Sequence, residues 1–232
     1  MKEILEPTER QNIEDTDFEV YLSKAKQLKR EADTLNNPII KSKMYVKSVL
    51  YFILHADSTE QRGDLTAAYG IFKDTVSLVE YILNYRPKLS TESDGPFALD
   101  SKLTILSYRC QSLLYLKLYK MRKKELKETS QKLKVILKNA SDMQSSPALG
   151  NSEISIPHTL VRKQFNYSNY LTNCYELWEQ AKIYMARRNC CEFFAYLDQN
   201  HVRLSLDSSL KDLVKYAQAG LDHLKTVPPN NH

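Results

Sequence analysis

The sequence predicts an all-α fold, about eight helices in antiparallel hairpins around one core. Three observations carry this. Glycine is scarce, at five residues, while Leu, Lys, Tyr and Glu abound. Val-Thr-Val style alternation, the mark of strands, is rare. The stretch from Leu103 to Leu118 places Leu103, Leu106, Cys110, Leu113, Leu114 and Leu118 at helical spacing, interrupted only by Lys117. With 232 residues, 42% of them apolar, the chain can bury one good core, or at most two small ones.

The elements follow in order. Residues 1–16 are mixed and acidic and read as a flexible lead-in without the apolar centre of a signal peptide. Asp17 caps a helix to about Asn36, with Phe18, Leu22, Ala25, Leu28, Ala32 and Leu35 on one face. Asn37-Pro38 pairs a cap with a proline at the first helical position and starts a second helix reaching about Ala56. Its face is Met44, Val46, Val49, Leu50, Ile53 and Leu54. A third helix spans about Thr59 to Tyr85 on Leu65, Tyr69, Phe72, Val76, Val79 and Leu83. Pro87, Gly95 and Pro96 mark a loop. Leu99 to Asn139 gives two helices, bent or broken near Met121. Residues 17–140 thus form N-terminal hairpins, and 141–157 a Ser/Pro/Gly linker. Residues 158–227 complete the same domain with a long helix from His158 to Arg188, a short one near Cys190 to Asn200 and a last one near Asp207 to Leu224. Residues 228–232 are a tail. The hairpins suggest tetratricopeptide-like stacking, but no strict repeat of about 34 residues appears.

Two segments stand out. Between Lys117 and Lys138 nine basic residues face only Glu125 and Glu128. Such a helix is either an ordinary solvated face or a contact surface for phosphates, with Lys120, Arg122, Lys123, Lys124 and Lys127 as the candidates. Contact of that kind would be sequence-nonspecific and salt dependent. The second segment is the long helix after His158. Tyr167, Leu171, Tyr175 and Trp178 make one stripe expected in the core. Phe165 lies off that stripe, among Val161, Ser168, Asn169 and Thr172, with Arg162 at the edge. A small, nearly uncharged face around one aromatic is what helix association requires. A helix buried on both sides would read the same way.

The residues point away from an enzyme. The five histidines, His55, His158, His201, His223 and His232, show no zinc-ligand spacing, and Cys190-Cys191 is adjacent. Isolated glycines exclude a phosphate-binding loop, and no serine sits in a nucleophile elbow. No cofactor or metal is expected. Cys110, Cys174, Cys190 and Cys191 read as reduced thiols, most of them beside bulky apolar neighbours, of a nuclear or cytoplasmic protein. No apolar run reaches the roughly 18 residues of a membrane span. The net charge of +5 permits a polyanion partner without demanding one.

Five segments carry a resemblance. They are YLSKAKQLKREAD (21–33), LSYRCQSLLYLKLYKMRKK (106–124), YELWEQA (175–181), FFAYLD (193–198) and SLKDLVKYAQAGLDHL (209–224). In this order they resemble the C-terminal homology domain of the ALF family, which takes its name from the AF-four, LAF-four and fragile-X mental retardation-two loci. Its members are nuclear scaffolds of the super elongation complex. The most specific piece is RCQSLLYL. The match is weaker over 58–100, and the family's long insertion is reduced to about 141–157. The resemblance implies a TPR-like domain of about eight helices that forms homodimers and heterodimers with paralogues. It implies a nucleus-located role in transcription elongation, with the kinase of positive elongation factor b recruited by regions outside these residues. It also raises weak RNA or DNA binding through the basic helix as the alternative function. The dimer face it favours is Gln164, Phe165, Ser168, Asn169, Leu171 and Thr172. A groove for an external peptide stays open as a third reading.

Overall fold

Seven helices are formed by the residues that the computed structural model describes: 7–84, 96–144 and 156–224, with side chains from 18–84, 101–140 and 156–224. They are α1 (Pro7–Thr34), α2 (Pro38–Gln61), α3 (Leu65–Asn84), α4 (Pro96–Gln144), α5 (His158–Arg187), α6 (Cys191–Asn200) and α7 (Leu210–His223). The all-α expectation holds.

The boundaries differ from the expected ones for local reasons. α1 starts at Pro7, not at Asp17. Proline fits a first helical turn, and the residues after it contain no breaker. α2 starts as expected: the Asn37 side chain accepts from the amides of Ile39 and Ile40. It continues past Ala56 to Gln61 and is followed by a turn at Gly63, whose φ of 90° only glycine adopts without strain. Asp64 accepts from the Ala67 amide and begins α3, so Leu65 falls in the first turn and is exposed rather than in the core. The expected break at Met121 is absent. α4 is continuous over 49 residues, roughly 70 Å. Lys, Leu, Met, Arg and Glu dominate its middle, all good helix formers with no proline or glycine among them. This merger is why the described residues give seven helices rather than eight. α7 opens on a capping box between Ser209 and Asp212.

Successive antiparallel contacts join α1 to α2, α2 to α3, α3 to α4 and α4 to α5. α7 then returns to α2 and α4, and Lys43 donates to the Leu224 carbonyl at 2.7 Å. Gly220 permits that return. A Cβ there would lie 3.0 Å from a Leu106 methyl carbon. One core runs through Phe72, Ile53, Leu50, Leu106, Leu114 and Leu118 to Phe194, Leu197 and Tyr216. Buried hydroxyls are used: Ser48 donates to the Ala25 carbonyl and Ser112 to that of Cys174.

The expected stripe of α5 is rotated. Tyr175 is 55% exposed, and the residues turned inward are Tyr170, Cys174, Leu177, Trp178 and Ala181. Trp178 is half-buried, so Trp178→Ala belongs at the low end of the range for such changes. Leu113, 3% exposed, keeps the full cost of about 2–5 kcal/mol on truncation to alanine.

His55 supplies a pH-dependent contribution. Burial pushes its imidazole below the ordinary 6.5, against a hydrogen bond with the Phe18 backbone that favours the charge. The folded chain therefore holds the proton more weakly than the unfolded chain. The stability contribution is complete above about pH 6.5 and falls as pH drops from there through the lower folded pKa. Urea midpoints on either side of pH 6.5 should show an acid-side loss that His55→Gln reduces. An unchanged acid-side loss in the variant contradicts the assignment.

Candidate association face and basic helix

α4 and α5 run antiparallel as the most extensive helix pair. Their register is set by a line of side chains. Tyr108 meets Tyr184 edge-on at 6.3 Å, Tyr115 lies 6.0 Å from Tyr170, Tyr167 donates to Glu125 at 2.9 Å and Ser130 donates to Gln164 at 2.9 Å. α3 accompanies α4 only to about Arg122, whose guanidinium sits 3.9 Å above the Tyr69 ring. Tyr69 in turn shares a 2.7 Å hydrogen bond with Tyr170.

Beyond Arg122 the second half of α4 leans on α5. Leu126, Thr129, Leu133, Ile136 and Ala140 repeat at helical spacing and are buried or half-buried. Opposite them Leu160, Gln164, Tyr167 and Leu171 are half-buried. Exposed apolar side chains on this two-helix arm are Val135 and Leu137 on α4, which project to different sides of that helix, and Val161 and Phe165, one turn apart on α5. Phe165, at 65%, is the most open aromatic among the described residues.

The six expected face residues therefore divide. Phe165 and Thr172 point outward, Ser168 and Asn169 are half-buried beside them, and Leu171 lies on the inner border. Gln164 is engaged by Ser130. The alternative of a helix buried on both sides does not describe this segment. Sequence reasoning missed that Val135 and Leu137 of the basic helix share the arm, because the lysine run masks them.

The basic residues divide as well. Lys120, Lys123, Lys124 and Lys127 are exposed. Arg122 is not available: it pairs with Glu125, stacks on Tyr69, and its Nε is buried without a partner. Burial alone would raise the Glu125 carboxyl, but the Tyr167 hydroxyl and Arg122 outweigh it and hold the group below the ordinary carboxylate value. Lys117 is likewise committed, to Glu60. The arm thus has a polar joint, Arg122–Glu125–Tyr167 with Tyr69–Tyr170, where it leaves the body.

Among the described residues no group of His, Cys, Asp and Glu could hold a metal ion, and no helix is long and apolar enough to cross a membrane. Cys110, Cys174 and Cys190 are buried free thiols, while Cys191 is exposed; burial pushes the Cys110 thiol up to about 12.

A family model described as "AFF4, C-terminal homology domain" matches residues 5–153 and 140–230. The chain belongs to the AF4/FMR2 family. It is 30% identical over 226 residues to AF4/FMR2 family member lilli of Drosophila pseudoobscura pseudoobscura, covering 88% of this chain and 13% of that protein. The lilli proteins of Drosophila mojavensis and Drosophila melanogaster are each 29% identical, over 95% and 88% of this chain and 13% and 14% of their own lengths. The chain thus spans only a small fraction of the length of these relatives.

Proposed function

We propose that this domain is the dimerisation module of a nuclear transcription-elongation scaffold, pairing with a second copy or a paralogue through the first half of α5. The observation that carries the reading is Phe165, 65% exposed on a face with Ser168, Asn169 and Thr172 that holds little charge. Val161, one turn before Phe165 on α5, widens the apolar patch. An aromatic anchor amid small residues is the composition that concentrates binding energy at helix interfaces. The family supports the cellular setting, a super elongation complex assembled through regions beyond these residues. Light scattering at several concentrations tests the reading. A mass that falls from dimer to monomer on dilution is expected. A constant monomer at every concentration overturns it.

A second reading, nucleic-acid binding, rests on Lys120, Lys123, Lys124 and Lys127, which stand exposed on α4. Arg122 is withdrawn from that set because its partners are internal. Changing the four lysines to glutamate is expected to abolish RNA or DNA binding while leaving helicity and mass unchanged. On the native chain, raising salt from about 50 to about 200 mM should weaken binding on the order of a hundredfold if several phosphates are contacted. Fluorescence anisotropy with labelled RNA reads both effects. Binding that ignores salt or the four changes excludes this surface.

A further inference from the structure

We infer that the cleft between α3 and α5, floored by α4, docks an arginine side chain carried by a basic partner segment. The site is independent of the Phe165 face. α3 and α5 meet at the Tyr69–Tyr170 hydrogen bond, and farther along a cavity of about 660 Å³ opens between Glu80 on α3 and residues 173–180 of α5. Gln111 and Tyr115, one turn apart on α4, form its floor. Both are buried, whereas Tyr175, Glu176, Glu179 and Gln180 on the rim are exposed. The cleft thus descends from solvent to a polar floor.

Two side chains fix the chemistry. Gln111 is 3% exposed, its amide has no hydrogen-bond partner among the described residues, and the surface it keeps faces the cavity. Buried amides are ordinarily bonded. Glu80 is half-buried, and its Oε1 accepts from the Tyr115 hydroxyl at 2.6 Å. Its Oε2 meets no Lys, Arg or His among the described residues, although a carboxylate drawn out of water calls for a cation. Glu176 and Glu179 bring the lining carboxylates to three, with no basic residue beside them in the described lining, on a chain of net charge +5. Glu179 also meets Lys182 at 2.7 Å, an exposed pair that a partner cation can replace at little cost. A metal ion does not fit, because no group of His, Cys, Asp and Glu among the described residues could hold one. A guanidinium does. It carries five N–H donors, stacks on aromatic rings such as Tyr115, and is more weakly hydrated than an ammonium, so it enters a buried floor at lower cost. It can donate to Glu80 Oε2 and Gln111 Oε1 while its methylene stem lies on the half-buried Leu177. The rim favours a segment over a free guanidine: Glu176 and Glu179, exposed and one turn apart, attract basic residues on either side of that arginine.

NMR titrations of the whole chain with acetyl-GKRKG-amide, acetyl-GKKKG-amide and N-acetylargininamide test the inference, read at the Leu177 methyls and the Gln111 side-chain amide. The arginine peptide should shift both signals. The lysine peptide, equal in charge, should bind about tenfold more weakly. N-acetylargininamide, without flanking lysines, should also bind more weakly than the arginine peptide. Glu80→Gln keeps an acceptor for Tyr115 but removes the charge, and should cost about tenfold in affinity. Gln111→Met, similar in volume, should abolish the preference for arginine over lysine. Circular dichroism confirms that each variant is folded, and either one decides. Equal affinity of the native chain for the two peptides overturns the guanidinium and with it the proposal. N-acetylargininamide binding as tightly as the arginine peptide overturns it in favour of a free-guanidine site. Unchanged binding and preference in a folded variant place the peptide elsewhere and overturn it as well. Absence of shifts at millimolar arginine peptide overturns it outright.

Discussion

Arg109→Ala is expected to destabilise the domain by about 3–5 kcal/mol, the cost of breaking a buried charged network. Arg109 is 8% exposed on α4, and its guanidinium is shared among three other helices. It donates to the Tyr216 hydroxyl on α7 at 2.6 Å, and that hydroxyl donates to Asp198 on α6 at 2.7 Å. The same group lies 4.6 Å from the Phe194 ring, 5.4 Å from that of Tyr216 and 5.9 Å from that of Trp178. One cation thus ties α4, α5, α6 and α7 together. Contacts between α6 and α7 are otherwise sparse. Truncation leaves a cavity lined by aromatic faces and strips the Tyr216–Asp198 pair of its positive end. For a domain of this size the melting temperature should fall by about 6–20 °C. Arg109→Lys keeps the charge but loses the planar stack, so it should recover only part of the stability. A fall under about 1 kcal/mol for Arg109→Ala would show that the cage is ornamental to the fold.

Arg109 also marks the limit of what the sequence could tell. Helical spacing located the α4 core from Leu103 to Leu118, and the same spacing placed Val76, Val79 and Phe72 inside. These positions are set by local period and by burial of apolar surface, which a sequence displays directly. A charged residue beside that stripe reads as solvent-facing until its partners are known, and those partners lie 69 to 107 residues away. Arg122 failed in the same manner: it sits in a run of lysines and looks like one of them, yet it is fixed by Tyr69 and Glu125. The stripe on α5 was misread because Tyr175 and Trp178 are large and draw attention, whereas the buried positions are the small Cys174 and Ala181. Close packing of α5 against α4 selects small side chains at the contact and leaves tyrosine at its edge. Phe165 was separable from the core because it fell off every stripe that could be drawn. The charged arm beyond Met121 was legible as basic but not as a continuation of one helix, since a change in composition looks like a boundary when no breaker is demanded.

Phe165→Glu is expected to convert a concentration-dependent dimer into a folded monomer. In a two-fold interface the same patch meets itself, so each substitution acts twice. Two carboxylates would be brought close together in a desolvated seam with no dedicated partner, and the dimer should weaken by several kcal/mol, on the order of a hundredfold or more in Kd. The fold itself should be indifferent. Phe165 is 65% exposed in the single chain, so its replacement removes little from the core, and glutamate is a good helix former. Phe165→Ala separates anchoring from repulsion, since loss of the anchor alone should cost about 2 kcal/mol or more if Phe165 is a hot spot. Sedimentation together with circular dichroism on both variants decides the matter. Native helicity with a monomer mass for Phe165→Glu, and intermediate weakening for Phe165→Ala, is the expected pair of results. A folded dimer in both variants would move the interface off this arm. Leu213 and Tyr216 on α7 cannot then supply it, because both are buried within the domain. The remaining apolar exposure on α5 is Tyr175 and Ile183, toward its other end, and Tyr175→Glu would be the next substitution to make.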